Sequence, residues 1–263
     1  MPLQESAAQS YWVSPAEVEA SAKFSLDDYA AAAKAWTGAR AATKDADRQA
    51  RIDLMLGLCA ERLGDAPKAV QHYTAASAKL PMLADYIGYH LARSLWLDRK
   101  VTEAMALAQK IARDSIVGAD AEQLVGELLR GRAASPPDWA AVVAHYKDYL
   151  TRRPKGPFRS EARFNLADAL EKSKGDQAEA IKLYRSITVE DPLSSWTTKA
   201  KTRLTELKVP EAYSAAEHIA RGMELFDAMR NPESEAAFDA ALADKAIAPA
   251  DKCTAALNRL CAR

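Results

Sequence analysis

The sequence has few of the features that mark binding to nucleic acid or insertion into a membrane. Its 263 residues contain 36 Lys plus Arg and 36 Asp plus Glu, so the formal net charge is zero. Proteins that bind nucleic acid usually carry a basic excess or a basic stripe, and neither is present. No window approaches the roughly 20 apolar residues of a membrane-spanning helix. We therefore expect neither a nucleic-acid partner nor a transmembrane segment.

Cysteine and histidine are scarce as well. Two of the three cysteines, Cys253 and Cys261, lie eight residues apart on a predicted helix, a rise of about 12 Å that is too long for a disulfide. Cys59 falls on the apolar face of another predicted helix, which is typical of a buried structural thiol. The four histidines stand far apart in the sequence, and none has a second His or Cys at ligand spacing, so no metal site is expected. They are His72, His90, His145 and His218.

Catalytic motifs and β-strand patterns are missing too. The sequence contains no phosphate-binding, dinucleotide-binding, zinc-protease or serine-hydrolase motif, so no catalytic residue and no cofactor is predicted. A complete enzyme whose site forms by tertiary pairing is the minor alternative. Ala, Leu, Lys, Glu and Arg dominate, there are only ten glycines, and alternating β-branched runs are absent. This composition predicts an all-α protein.

A repeated helical unit runs through the chain. The stretch "LMLGLCAERLGDAPKAVQHYTAASAKLP", residues 54–81, resembles the tetratricopeptide (TPR) pattern, a helix-turn-helix of 34 residues. Its small residues allow two helices to cross closely, Gly64-Asp65 makes the turn, and Pro81 stops the second helix. The matched positions are Gly57, Ala69, Tyr73, Ala76 and Pro81.

The same spacing recurs elsewhere with less regularity, and the corresponding positions include Ala92, Ala104, Val142, Ala180 and Gly222. We therefore predict an all-α, TPR-like α-solenoid of twelve to fourteen helices. The predicted organisation is an N-terminal extension with a short helix (1–24), TPR-like repeats (25–208) and a further helical hairpin (209–263). The repeat register is least defined at 116–135 and 193–215.

Helix-start signals support this organisation. Ser14-Pro15-Ala16-Glu17 has the form of a capping box with proline in the first turn. Ser25-Leu26-Asp27-Asp28 can act in the same way, and the two aspartates are interpreted as helix-start acids rather than a catalytic pair.

Two stretches resemble a particular family. "LPMLADYIGYHLARSLW", residues 80–96, and the proline-linked helix pairs of residues 152–207 are similar to the N-terminal superhelical region of soluble lytic murein transglycosylases. The resemblance covers most of residues 25–263. It implies a non-catalytic scaffold, a periplasmic location, peptidoglycan as a partner, and a separate catalytic domain.

The catalytic pattern of that family is not found here. The family uses a Glu-Ser-x-Phe segment followed by Gly-Leu-Met-Gln, whereas Glu233-Ser234 is followed by Ala236 and no Gly-Leu-Met-Gln occurs. Glu233 is therefore interpreted as a helix-start acid after Pro232. We expect a fragment or shortened product that lacks the catalytic domain, and no signal peptide within this chain.

The alternative function is a free-standing TPR adaptor that binds a protein or peptide in cell-envelope assembly. TPR proteins bind peptides on the first helix of each pair. In this frame the candidate groove residues are Tyr86, Tyr89, Arg93 and Trp96, which form one stripe of a helix. Aromatic rings there can stack on sugars or apolar side chains, and arginine can bind a carboxylate.

A structural role for the same aromatic residues stays open, because rings in solenoids also fill space between helices. The opposite stripe, predicted as core, comprises Ile87, Leu91 and Leu95, with Gly88 and Ala92 at helix contacts. The corresponding groove positions of the preceding repeat are Arg51, Leu54, Leu58 and Glu61. Those of a later repeat are Glu161, Phe164, Asp168 and Glu171, which favour a solvated acidic face or a peptide clamp.

Overall fold

The structure, a computed structural model, describes residues 11–12, 14–131 and 138–262. Within these ranges it contains fourteen α-helices, one short 3-10 turn at Pro81–Leu83 and no strand. This confirms the predicted all-α, TPR-like fold and the number of helices. The chain forms two compact units, Met1–Ser135 and Pro136–Arg263. Residues 1–10 and 13 of the predicted N-terminal extension and residues 132–137 lie outside the described residues.

Unit 1 consists of consecutive antiparallel helices, each packed on the next. They are α1 (Pro15–Ser25), α2 (Tyr29–Ala42), α3 (Ala46–Arg62), α4 (Ala66–Ser77), α5 (Ala84–Leu97), α6 (Val101–Ala108) and α7 (Gly118–Gly131). The first and second helices of the TPR-like pairs are α1–α2, α3–α4 and α5–α6. α7 takes the place of a further first helix and also contacts α5.

Unit 2 repeats the arrangement with wider variation. Its helices are α8 (Trp139–Arg152), α9 (Arg159–Lys172), α10 (Gln177–Glu190), α11 (Ser195–Glu206), α12 (Ala215–Asp227), α13 (Asn231–Ala243) and α14 (Pro249–Ala262). The pairs α9–α10 and α12–α13 pack as hairpins, and α12 also contacts α10. Glu233 lies in the first turn of α13, as predicted for a helix-start acid.

Helix N-termini are capped largely as the sequence predicts. Ser14 forms the predicted capping box with Glu17 at the start of α1, and Asp65 accepts a hydrogen bond from the Lys68 backbone amide at the start of α4. The expectation for Ser25 is wrong, because Ser25 is the last residue of α1. The N-cap of α2 is instead Asp28, whose side chain accepts from the Ala31 backbone amide.

The turn after most first helices is built in one way. A residue with positive φ follows the helix, and the next backbone amide donates to a carbonyl five residues earlier, which is the Schellman arrangement. Gly64 fills this position after α3 at φ 74°, and the Asp65 amide donates to the Ala60 carbonyl over 2.9 Å. Non-glycine residues fill it elsewhere: Asp27, Arg99, Lys174, Lys208 and Met229.

Two glycines mark the close helix crossings. A Cβ atom at Gly57 would lie 2.6 Å from the ring of Tyr73, and one at Gly222 would lie 2.8 Å from the ring of Phe238. Both rings are fully buried. Gly57 therefore stands, as predicted, where two helices cross, and Gly222 and Phe238 form the equivalent crossing in unit 2.

The cysteines behave as predicted. Cys59 is fully buried in α3, and burial raises its pKa to about 11, which keeps the thiol protonated at neutral pH. Cys253 and Cys261 are exposed on α14, and all three cysteines are free.

Candidate functional site

The two predicted stripes of helix α5 differ in burial. Ile87, Gly88, Ala92 and Leu95 are buried, and Leu91 is partly buried against the same cores. Tyr86, Tyr89 and Trp96 are each partly exposed, and the Arg93 side chain is 50% exposed. The predicted groove stripe therefore reaches the surface along its whole length.

The three aromatic side chains also pack on neighbouring helices. Tyr86 contacts the apolar cluster that contains Ala60 and Tyr73, and Trp96 packs against the cluster that contains Leu128 of α7. Tyr89 packs against that second cluster and against the one formed by Ile111, Val117 and Ala121. Each ring is thus partly covered by a helix and partly open, and contact with a ligand stays a prediction.

Helices α3, α5 and α7 place equivalent residues on one side of unit 1. Gly57, Ala92 and Gly126 occupy the same repeat position, which aligns the groove positions around them; all of these except the buried Gln123 are at least partly exposed. We call the resulting surface the first-helix face. It comprises Arg51, Leu54, Leu58 and Glu61 of α3, Tyr86, Tyr89, Arg93 and Trp96 of α5, and Asp120, Gln123, Glu127 and Arg130 of α7.

Glu61 of α3 links this helix to α4 and α5. The Tyr73 hydroxyl donates a hydrogen bond to Oε2 over 2.8 Å, and His90 Nδ1 lies 2.8 Å from the same oxygen. Arg93 Nη1 lies 3.1 Å from Oε1, and the Glu61 side chain is only 11% exposed. Burial alone would raise the pKa of Glu61, but the hydrogen bonds of His90 and Tyr73 and the charges of His90 and Arg93 outweigh it and lower the pKa.

His90 was missed as a member of this site. Its ring lies 4.6 Å from Tyr86 and 5.2 Å from Tyr89, measured between ring centroids. A histidine in a sequence most readily suggests a metal site, and His90 has no second His or Cys at ligand spacing. The useful signal is its place one helical turn after Tyr86, since that position brings its ring onto the preceding pair of helices.

The α7 side of the face is more acidic. Burial raises the pKa of Glu127, and the nearby charges of Arg93 and Arg130 only partly oppose that rise. Burial also raises the pKa of Tyr89, and the charges of Asp120 and Glu127 add to this effect. Asp120, Glu127 and Tyr89 therefore lie close enough to share one electrostatic environment.

The corresponding set on α9 of unit 2 is arranged differently. Phe164 contacts the ring of Tyr184 edge to face and the tilted ring of Trp196, with centroid distances of 5.2 and 5.0 Å. Asp168 binds Lys172, and Glu171 binds Arg203 Nε over 2.8 Å. Most of this acidic set is already engaged by basic side chains of the same unit.

A second buried carboxylate holds three helices of unit 1 together. Asp53 on α3 is 3% exposed and accepts two hydrogen bonds from Arg40 of α2, at 2.8 and 2.9 Å. His72 Nδ1 of α4 lies 3.0 Å from the same carboxylate. This arrangement joins α2, α3 and α4 and is a structural ion pair.

Unit 2 has a cavity of about 480 Å³ beside the loops that precede α9 and α11. Its lining includes Glu161, Asp191, Trp196 and Glu224. Asp191 is engaged there by Arg159 and Ser160, so much of the negative charge is neutralised by the protein itself.

The described residues form neither a cluster of metal ligands nor a membrane-spanning helix. Within residues 11–12, 14–131 and 138–262, no three His, Cys, Asp or Glu side chains are grouped so that they could hold a metal ion. In the same part of the chain no helix is both long and apolar enough to span a membrane.

Comparison with known proteins agrees with this architecture. Residues 18–81 and 137–195 match a family model described as Tetratricopeptide repeat. The chain therefore contains tetratricopeptide repeats within a TPR-like α-solenoid. A search of curated proteins gives no match.

Solved structures show the same fold. A tetratricopeptide repeat protein from Parabacteroides merdae is 14% identical, with a TM-score of 0.57 over 92% of this chain and 97% of that chain. The C-terminal part of a TPR repeat-containing protein from Cytophaga hutchinsonii is 13% identical, with a TM-score of 0.52 over 90% and 98%. At these identities the likeness shows the fold alone. Neither match supports the predicted origin in a lytic transglycosylase.

Proposed function

We propose that this chain is a non-catalytic scaffold that holds an extended or helical segment of a protein partner on the first-helix face. The main support is the strip of partly exposed apolar and aromatic side chains on that face, with the half-exposed Arg93 among them. Leu54, Leu58, Tyr86 and Tyr89 supply the apolar area. TPR-type solenoids use such first-helix surfaces to hold peptide segments.

The α9 face of unit 2 is a weaker candidate for the same role. Phe164 is partly exposed but packs against the rings of Tyr184 and Trp196, and Glu171 is engaged by Arg203. A bound segment there would compete with existing contacts. The first-helix face of unit 1 offers four partly exposed apolar or aromatic side chains instead of one, namely Leu54, Leu58, Tyr86 and Tyr89.

The test begins with a ligand selected without prior assumptions. A phage-displayed library of random 12-residue peptides is selected against the full chain, and selected peptides are synthesised and titrated by calorimetry. Leu58→Glu places a charge in the middle of the apolar strip, where a bound peptide would have to desolvate it. We expect affinity to fall by at least about tenfold, which corresponds to roughly 1.4 kcal/mol.

Leu63→Glu is the matched control. Leu63 is 52% exposed just after α3, outside the first-helix face, so the same substitution should leave affinity within about twofold. Equal losses in the two variants, or no loss in either, would show that the peptides bind elsewhere.

The finer prediction of a periplasmic scaffold acting on peptidoglycan rests on the sequence resemblance. Co-sedimentation with purified sacculi tests it directly. Sedimentation of the wild-type chain that is lost in Leu58→Glu and kept in Leu63→Glu would favour murein over a peptide as the ligand of this face. Failure to sediment, together with a selected peptide that Leu58→Glu weakens, would favour the free-standing adaptor.

A further inference from the structure

Two carboxylates on α7 stand on either side of the stretch that faces Tyr89. Asp120 and Glu127 are two helical turns apart, so both project from the first-helix face. Within the part of the chain that the structure describes, neither forms an ion pair with a Lys, Arg or His side chain. Glu61 differs sharply, since it contacts His90 and Arg93 and accepts a hydrogen bond from Tyr73.

The surroundings of Glu127 leave its charge incompletely balanced. The residue is partly buried, and burial raises its pKa more than the charges of Arg93 and Arg130 lower it. Arg93 itself is held by Glu61 over 3.1 Å. A cationic group of a ligand would therefore pair with Glu127, a carboxylate whose charge the chain's own basic groups do not fully balance.

Gln123 is an independent observation at the same position. It lies one turn from both Asp120 and Glu127 and is 6% exposed, yet neither polar atom of its side chain completes a hydrogen bond in the described structure. Its side chain lies close enough to Glu127 to lower the pKa of that carboxyl, although the two groups do not meet in full hydrogen-bonding geometry. Buried amides without partners are costly, by roughly 1–3 kcal/mol.

The aromatic side of this surface suits a cation as well. Tyr89 packs against the cluster that contains Val117, just before α7, and Ala121 of α7, so its ring lies beside the helix that carries both carboxylates. Ammonium and guanidinium groups bind the faces of aromatic rings, and the attraction grows when a carboxylate lies nearby.

We propose that this surface binds a lysine or arginine side chain of the partner segment, between the ring of Tyr89 and the carboxylates of Asp120 and Glu127. The inference rests on the proposed docking function and names the chemistry of its ligand. A segment that presented aspartate, glutamate or a terminal carboxylate at this point would meet like charge and bind more weakly.

The experiment compares peptide selections rather than one peptide. The random 12-residue library is selected in parallel on the wild-type full chain and on the double variant Asp120→Asn with Glu127→Gln. Wild-type selections should be enriched in lysine and arginine, and the double variant should lose that enrichment. A synthetic peptide from the wild-type pool should bind the double variant about tenfold more weakly, as expected for two partly exposed ion pairs.

The matched control changes net charge equally at another place. Glu103→Gln with Asp114→Asn removes two exposed carboxylates of unit 1 outside the first-helix face and should keep the basic preference. The inference is overturned if the peptides selected on the wild-type chain are not enriched in lysine and arginine. It is also overturned if both double variants keep this preference or if both lose it. If such peptides still lose affinity in Leu58→Glu, the docking proposal survives. If no peptide binds the first-helix face, the docking proposal and this inference both fail.

Discussion

Glu61 on α3 and Arg93 on α5 form an ion pair at 3.1 Å, and they are 32 residues apart in the chain. The same separation joins other oppositely charged pairs in unit 2: Lys147 with Glu179, Arg159 with Asp191, Glu171 with Arg203, and Arg185 with Glu217. A separation near the repeat length brings two residues to equivalent places on successive repeats. These pairs therefore fix the packing of neighbouring repeats while leaving the intervening loops free to vary.

The first prediction concerns Glu61 itself. Glu61→Gln removes the charge that His90 and Arg93 face while keeping a side chain of similar size. We expect the free energy of unfolding at pH 7 to fall by about 2 kcal/mol, because hydrogen bonds to a buried charged group are among the stronger ones. Urea denaturation measures the change. Glu103→Gln, an exposed site on α6, is the control and should change stability by less than about 0.5 kcal/mol.

A pH dependence follows from the Arg185–Glu217 pair. Hydrogen bonding to Arg185 lowers the pKa of Glu217 to about 2, against an ordinary value of 4.5. A carboxylate with a depressed folded-state pKa stabilises the protein above its unfolded pKa, and that stabilisation disappears as pH falls toward the folded value. Wild type should therefore exceed Glu217→Gln by about 2 kcal/mol at pH 7, with the gap narrowing steadily below about pH 4.5. A gap that stays constant down to pH 3 would contradict this account.

The helix crossing at Gly57 should tolerate no methyl group. Gly57→Ala places a Cβ atom 2.6 Å from the buried ring of Tyr73, so one of the two helices must shift. We expect a loss of about 1–3 kcal/mol in thermal or urea unfolding. Gly38→Ala is the matched control, because a Cβ atom at Gly38 in α2 would have nothing within 4 Å, and it should stabilise the protein by about 0.5–1 kcal/mol. Equal effects at the two glycines would show that the crossing is looser than described.

Glycine should stabilise the protein at a turn position where a residue with a side chain has positive φ. Arg99 adopts φ 63° in the turn between α5 and α6, a conformation that costs a side-chain-bearing residue about 1 kcal/mol. Arg99→Gly should raise the melting temperature by a few degrees, corresponding to about 0.5–1 kcal/mol. Gly64→Ala, at the same turn position after α3, should lower it. A destabilised Arg99→Gly would mean that the side chain contributes more than the strained backbone costs.

Much of the fold could be predicted from the sequence because its signals are local. The Ala-rich composition, the spacing of Gly57, Tyr73 and Ala76, and the Ser14 capping box each act within a helix or between neighbouring helices. The cap of α2 was placed wrongly at Ser25 because several polar residues in a row compete for one N-cap. Which of them wins depends on where the preceding helix ends.

The candidate site was less predictable. The stripe on α5 follows from helical periodicity, and the structure places all four predicted residues on one face. The contribution of Glu61, His90 and Tyr73 depends on contacts between helices that lie about 12 to 32 residues apart. Only a comparison of charges one repeat apart would have found the Glu61–Arg93 pair, and the acidic edge at Asp120 and Glu127 lies in the stretch where the repeat register was least defined.

Hydrogen–deuterium exchange on the full chain, with and without a saturating library-selected peptide, tests the central claim most directly. The docking proposal predicts slower exchange in residues 84–97, 118–131 and the second half of α3, with little change in α12 to α14. Protection confined to unit 2, or to helix segments outside α3, α5 and α7, would contradict it.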